Sequence, residues 1–251
     1  MAFLSQIWRH PVKAHGREEL THIKLSEGAT MPWDRRWAVA HEMSKFDTNA
    51  PSWQPCGNFS RAAKAPQLQA ITASVDLPNQ TVTFSHPDLK KLTIDPDCEA
   101  DSGSFIQWVM PISPPDRALP ARLVRAPKRG MTDTDYPSIS IINMTSHAAV
   151  AQHLGQEISN LRWRGNLIVG AMEPWAELDW VGKSIRVGQA ELKVREPITR
   201  CMAPAANTKT GERDADILGS LRSGFGHQLM GVYAEVIKTG DIRQGDPVEL
   251  L

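Results

Sequence analysis

The chain has 251 residues with 28 basic and 28 acidic side chains, so no net field draws it to nucleic acid or to an anionic membrane, and any anion site must be local. Hydrophobic residues make up 41% and charged residues 22%, an ordinary globular composition with enough apolar material for two domains. Three widely spaced cysteines, Cys56, Cys98 and Cys201, exclude a disulfide framework, a zinc knuckle and an iron–sulfur cluster built from cysteine alone.

The odd cysteine count fits a reducing compartment. The first residues lack an apolar h-region, and no apolar run approaches the roughly 18 residues that a bilayer span needs. A cytoplasmic location without membrane attachment is expected.

In chain order, Phe3 to His10 reads as a strand stopped by Pro11, and Glu19 to Leu25 alternates at period two as a half-buried strand does. Met31 to His41 is a tight turn running into a strand, and Asp47 to Arg61 is a surface loop rich in Asn, Pro, Ser and Gly. Leu68 to Val75 and Thr81 to Ser85 read as a hairpin, followed by a short strand from Leu89 to Ile94. Phe105 to Met110 fits a helix start or a strand equally well. Four prolines between Pro111 and Pro120 suggest a boundary between two units, 1–115 and 116–251.

The second half opens on a loop, A-P-K-R-G-M-T-D-T-D-Y-P, and a strand from Ser138 to Asn143. Thr145 suits the N-cap of a helix from Ser146 that Gly155 ends. Leu161 to Gly170, containing R-W-R-G-N, reads as a strand; Trp180 to Val187 and Ala190 to Arg195 read as a hairpin about Gly188-Gln189. A short helix from Ala215 to Arg222 and a strand from Met230 to Lys238 precede the final turn and V-E-L-L. Many short strands with few helices predict a mainly β, α+β chain of two barrel-like units.

The segment E-P-I-T-R-C-M-A, Glu196 to Ala203, carries the chemistry that stands out. Pro197 must stop the preceding ladder or sit at an edge, which holds Cys201 just past a strand end. A guanidinium such as that of Arg200 beside a thiol favours the thiolate, the form that acts as nucleophile and metal ligand. The competing reading is a small buried apolar residue. His147 and His153, six apart, do not share a helix face, and Gly224, Gly226 and Gly231 follow no strand, so neither zinc nor dinucleotide binding is indicated. The aspartates of D-T-D show no catalytic geometry, and Trp33, Trp37, Trp163 and Trp175 read as core packing.

P-V-K in the first loop, D-R-R-W, R-G-N, T-R-C, T-G-E-R-D, G-V-Y-A-E-V and G-D-P-V-E-L occur in one order from about Ile7 to Leu251. That ordered set resembles the MOSC family, the molybdenum-cofactor sulfurase C-terminal domain, preceded by its N-terminal β-barrel partner. The resemblance extends to the amidoxime-reducing component and its bacterial relatives. It implies a mononuclear molybdenum held by the dithiolene of a pterin and by Cys201 as protein ligand. It also implies cofactor contacts from Lys13, Arg35, Arg36, Ser138, Ser140, Arg164, Asn166, Thr199, Arg200 and Tyr233. An association with pyridoxal phosphate comes with the resemblance alone.

Physical reasons accompany these positions. A cofactor ending in phosphate needs local cations, a point charge from Lys13 and a planar fork from Arg35. Arg164 and Asn166, two apart on the expected strand, would share a face. Arg35 could equally pair with a nearby carboxylate, and Asp214 suits the cap of the helix after it. Ala14 stands where the family usually has Ser after P-V-K, and Thr199 where the amidoxime-reducing relatives commonly show Ser.

The expected function is reduction of a small N-hydroxylated compound, with electrons from a separate flavin, haem or iron–sulfur protein. The alternatives are a sulfur carrier using a Cys201 persulfide and a non-enzymatic cofactor-binding module. Nucleic acid and membrane partners are not expected.

Overall fold

A computed structural model describes residues 1–251. The first half contains strands β1 (Phe3–Arg9), β2 (Glu18–Leu20), β3 (His22–Leu25), β4 (Trp37–His41), β5 (Thr72–Asp76), β6 (Thr81–His86) and β7 (Leu89–Ile94), then helix α1 (Glu99–Val109). The second half contains β8 (Pro120–Arg125), β9 (Ile139–Asn143), α2 (Met144–Leu154), β10 (Leu167–Gly170), β11 (Ser184–Val187) and β12 (Ala190–Thr199). It ends with α3 (Ile217–Phe225), β13 (Leu229–Lys238), β14 (Gly240–Arg243) and β15 (Val248–Leu250). The architecture is the expected mainly β, α+β one with barrel-like units. No helix is long and apolar enough to cross a membrane.

One curled eight-stranded sheet, in the order β15-β11-β12-β13-β9-β10-β1-β2, carries the second half. Its central strands β9 and β10 run parallel, joined through α2, and are buried along their whole length. Burial on both faces selects continuous Ile, Leu and Val rather than alternation with polar residues. Adjacent residues then serve opposite cores: Ile141, Leu167 and Val169 join the larger cluster, while Ile142 and Ile168 pack with Val150, Ile217 and Leu221 of the helices.

The two halves of the chain interlock. Strand β1 pairs with β10 (Leu4 opposite Val169), β3 with β14, and β8, after the proline-rich stretch, returns to β4. A three-stranded sheet, β5-β6-β7, packs its Phe84 against Phe105 of α1. The ambiguous Phe105–Met110 stretch is thus the end of a helix. Phe105, Ile106 and Val109 form its buried stripe, at the spacing that a helical face requires.

Several local expectations change. The period-two run after Glu19 breaks into two strands at Thr21. Residues Pro66–Ala70 form a 3-10 turn started by Pro66, so the hairpin arm begins at Thr72. Asn143, not Thr145, caps α2: its side chain accepts from Thr145 N, and Gly155 ends the helix in the left-handed region as expected. Asp216, not Asp214, caps α3 by accepting from Gly219 N at 2.9 Å. Pro197 lies within β12, opposite Val232. This is tolerated because β11 pairs only with Ala190 to Lys193, leaving one side of β12 free at the proline.

Candidate functional site

A cleft of about 350 Å³ opens between the two halves. Its lining gathers Lys13, Arg35, Ser140, Arg164, Thr199, Arg200, Cys201 and Tyr233 from segments far apart in sequence. Cys201 is exposed, two residues beyond the end of β12. The other two cysteines are also unpaired, and Cys56 lines the same cleft.

The basic side chains are held by a network built on Asp34. This carboxylate is buried; one oxygen accepts from His10 N at 2.8 Å and the other from Arg35 Nη1 at 2.5 Å. Burial opposes its charge, but Arg35 and His10 overcome that and hold the carboxyl well below its ordinary range. Arg35 also donates to Arg164 O at 2.9 Å and to Asn166 Oδ1 at 3.3 Å. Asn166 accepts from Ser140 N and Oγ (3.1 and 2.8 Å) and donates to Trp8 O at 3.1 Å, with almost no exposure.

Asn166 therefore lies behind the cleft wall and braces it. Arg164 and Asn166 do not share a strand face, because neither is on a strand. Asn160–Trp163 is a 3-10 turn, Arg164 ends it with φ of 52°, and β10 begins at Leu167. Gly165 lets this corner press on β9, since a Cβ there would lie 2.3 Å from Ile142 Cγ1. Arg164 consequently turns into the cleft lining. Its Nη2 donates to Gly16 O at 3.1 Å, while its buried Nη1 has no protein partner. Burial, with Arg35 and Arg17 nearby, pushes this guanidinium down to about 9. A cation in this state gains from an incoming anion.

Besides Asn166, two expected residues are not in the lining. Arg36 stacks over the rings of Trp33 and Trp37 (5.3 and 5.2 Å) beside Asp97. Its neighbour Arg35 has φ of 47°, and that turn sends the two guanidinium groups apart. Ser138 is buried and accepts from Thr134 Oγ1 at 2.7 Å. Arg200 lines the cleft but spends its donors on the backbone, on Met230 O (2.5 and 2.9 Å) and Trp163 O (2.8 Å). It thereby fastens the residue before Cys201 to β13.

Asp133, from the D-T-D stretch in which no geometry was visible, lies in the cleft and accepts from Lys13 Nζ. The walls of the cleft penalise its charge even though half of its side chain meets solvent, but Lys13, Arg35 and Arg200 hold it down to about 2. Burial and Asp133 push the Tyr233 hydroxyl upward, so it faces the cleft as a neutral donor. Sequence reasoning also passed over Arg61, Arg162 and Cys56 in the lining. Arg162 pairs with Asp214 at 2.6 Å, which is what occupies that aspartate instead of a cap.

Three of the four buried histidines give the molecule a pH signature. Burial, with Arg164 and Arg35 adding to it, pushes His10 down to about 3; burial takes His15 and His147 to about 4. All three are neutral when folded and bind protons near pH 6.5 when unfolded. Stability is therefore intact above pH 6.5 and falls as pH drops toward 4, each histidine approaching about 1.4 kcal/mol per pH unit. Urea unfolding at pH 7, 6 and 5 is expected to show a falling midpoint; a constant midpoint across that window contradicts it.

Comparison with known proteins gives two domain matches: the MOSC domain over residues 130–249 and the MOSC N-terminal beta barrel domain over residues 1–110. Mitochondrial amidoxime-reducing component 1 of Mus musculus is 22% identical over 295 residues, covering 99% of this chain and 82% of the relative. Molybdenum cofactor sulfurase of Anopheles gambiae is 38% identical over 73 residues, 29% of this chain and 9% of the relative. Molybdenum cofactor sulfurase 2 of Culex quinquefasciatus is 21% identical over 276 residues, 94% and 34% respectively. The chain thus spans about a third or less of the length of these sulfurases. The crystal structure of the YUAD protein from Bacillus subtilis shares the fold with a TM-score of 0.50 at 12% identity, covering 99% of this chain and 94% of that one.

Proposed function

Because the chain belongs to the MOSC family, as a MOSC N-terminal β-barrel domain leading into a MOSC domain, we propose that its cleft binds a molybdenum cofactor and that it is an oxidoreductase reducing N-hydroxylated compounds. One observation carries this reading: an exposed thiol, Cys201, stands in a cleft lined by six cationic side chains and one carboxylate. In a chain with no net charge, that concentration is local and has a purpose.

The residues present fit the cofactor. The partnerless Nη1 of Arg164 offers a buried donor for an anionic group, and Lys13 and Arg35 add charge beside it. Ser140, Thr199 and the neutral Tyr233 hydroxyl supply hydroxyls for a ring of mixed donors and acceptors. Cys201 supplies the soft sulfur ligand that suits such a metal. When bound, the cofactor supplies the electron transfer that removes oxygen from nitrogen. The chain orients the substrate, supplies the sulfur ligand and braces the cations through Asp34 and Asn166. In this reading electrons come from a separate flavin, haem or iron–sulfur protein.

The exposure of Cys201 also favours a second reading, a sulfur carrier holding a persulfide, because such a sulfur must reach its acceptor. Metal and sulfur analysis separates the two. Protein from cells that make the pterin is expected to hold near-stoichiometric molybdenum. Labile sulfur on Cys201 without molybdenum would favour the carrier, and bound molybdenum without reduction of any N-hydroxylated compound would leave a binding module.

A further inference from the structure

Five of the six cations lining the cleft are already engaged. Lys13 is answered by Asp133, Arg35 by Asp34 and Arg162 by Asp214, while Arg200 is spent on Met230 O and Trp163 O. Arg164 donates to Gly16 O and keeps one buried donor, assigned above to the cofactor. Arg61 is different. It forms no ion pair, and its single side-chain hydrogen bond goes to Cys56 Sγ at 3.4 Å, a weak acceptor.

Nor is Arg61 a loose surface charge. Its chain neighbours are anchored: Ser60 N donates to Val39 O at 2.9 Å, and Phe59 and Ala62 are buried. Its own carbonyl accepts from Lys64 N and Ala65 N, which closes a turn. Arg213 donates to Ala63 O at 2.9 Å and ties this loop to the T-G-E-R-D segment. The side chain is half-buried, and Ala62, Ile198, Ala203 and Pro204 provide apolar wall in the same cleft. A positioned, unpaired guanidinium beside an apolar wall matches a small molecule with an apolar body and a carboxylate.

We infer that Arg61 is a specificity-determining residue, and that the substrate is an N-hydroxylated compound carrying a carboxylate which Arg61 receives. The inference rests on the oxidoreductase reading and narrows it. Its test compares two aryl amidoximes that differ only by a ring carboxylate, using cofactor-loaded protein. Wild type is expected to favour the carboxylate in kcat/KM by at least about tenfold, equivalent to about 1.4 kcal/mol. Arg61→Gln is expected to erase that ratio, Arg61→Lys to restore part of it, and Lys64→Gln, which removes a neighbouring exposed charge outside this cleft, to leave it in place.

Calorimetric binding of the corresponding amidines gives a readout that needs no turnover. If neither amidoxime is reduced, the oxidoreductase reading fails, yet a carboxylate preference in binding that disappears in Arg61→Gln still upholds the anion seat. Equal binding of charged and neutral ligands by wild type overturns the inference. Loss of molybdenum or pterin from Arg61→Gln overturns it as well, because Arg61 would then be gripping the cofactor.

Discussion

Cys201→Ala protein is expected to purify folded, without molybdenum, and with reduction of N-hydroxylated substrates lowered by at least about a hundredfold. Fold should survive because the side chain is exposed, where substitutions usually cost within about 0.5 kcal/mol. Loss of the metal should exceed the 10- to 100-fold that even outer-shell changes cost at metal sites, because the ligand itself is gone. Cys201→Ser keeps the shape but offers a hard oxygen for a soft sulfur, and is expected to fall with the alanine variant. Cys98→Ala, at the exposed residue before α1, is the control that keeps both metal and activity. Wild-type molybdenum content in Cys201→Ala would remove the thiol from the site.

The place of Cys201 was legible because it depends on local chemistry: a proline four residues earlier loosens the ladder, and β12 ends two residues before the thiol. Helices α2 and α3 were legible for similar reasons, in the glycine stop of α2 and the turn after R-D before α3, whereas α1 was not, its last residues fitting helix and strand equally well. What depended on a single backbone angle was not. Arg35 and Arg36 are the same residue type in adjacent positions, and only the left-handed φ of Arg35 decides which guanidinium faces the cleft. The same holds at R-W-R-G-N, where a turn ended by a left-handed Arg164 replaces the first part of the strand expected from Leu161 to Gly170. Asp133 was out of reach because its partner, Lys13, is 120 residues away, and Arg61 because its meaning lies in the carboxylate it lacks. Order of motifs along the chain could find the family. Which charges are paired is a property of the folded molecule alone.

Asp34→Ala is expected to lower stability by about 3–5 kcal/mol, the usual loss when one member of a buried ion pair is removed. The mechanism is specific. Arg35 would remain buried with its guanidinium facing the carbonyl of Arg164 and the amide of Asn166, and His10 N would lose its acceptor. In a chain of this size the melting temperature should drop by roughly 10 °C, since each kcal/mol is worth about 2–4 °C. Asp34→Asn, which still accepts from His10 N but carries no charge, should fall between the two. Replacing both partners, as in Asp34→Leu with Arg35→Met, removes the stranded charge and should recover much of the stability, because a buried pair exchanged for apolar groups is often neutral. Cofactor binding should not recover with it, since the cleft would have lost the fork of Arg35. Denaturant unfolding and molybdenum content measured on the same three variants would therefore part company in the double variant. If they instead recovered together, the pair would be serving stability, and the cations would have been wrongly read as an anion seat.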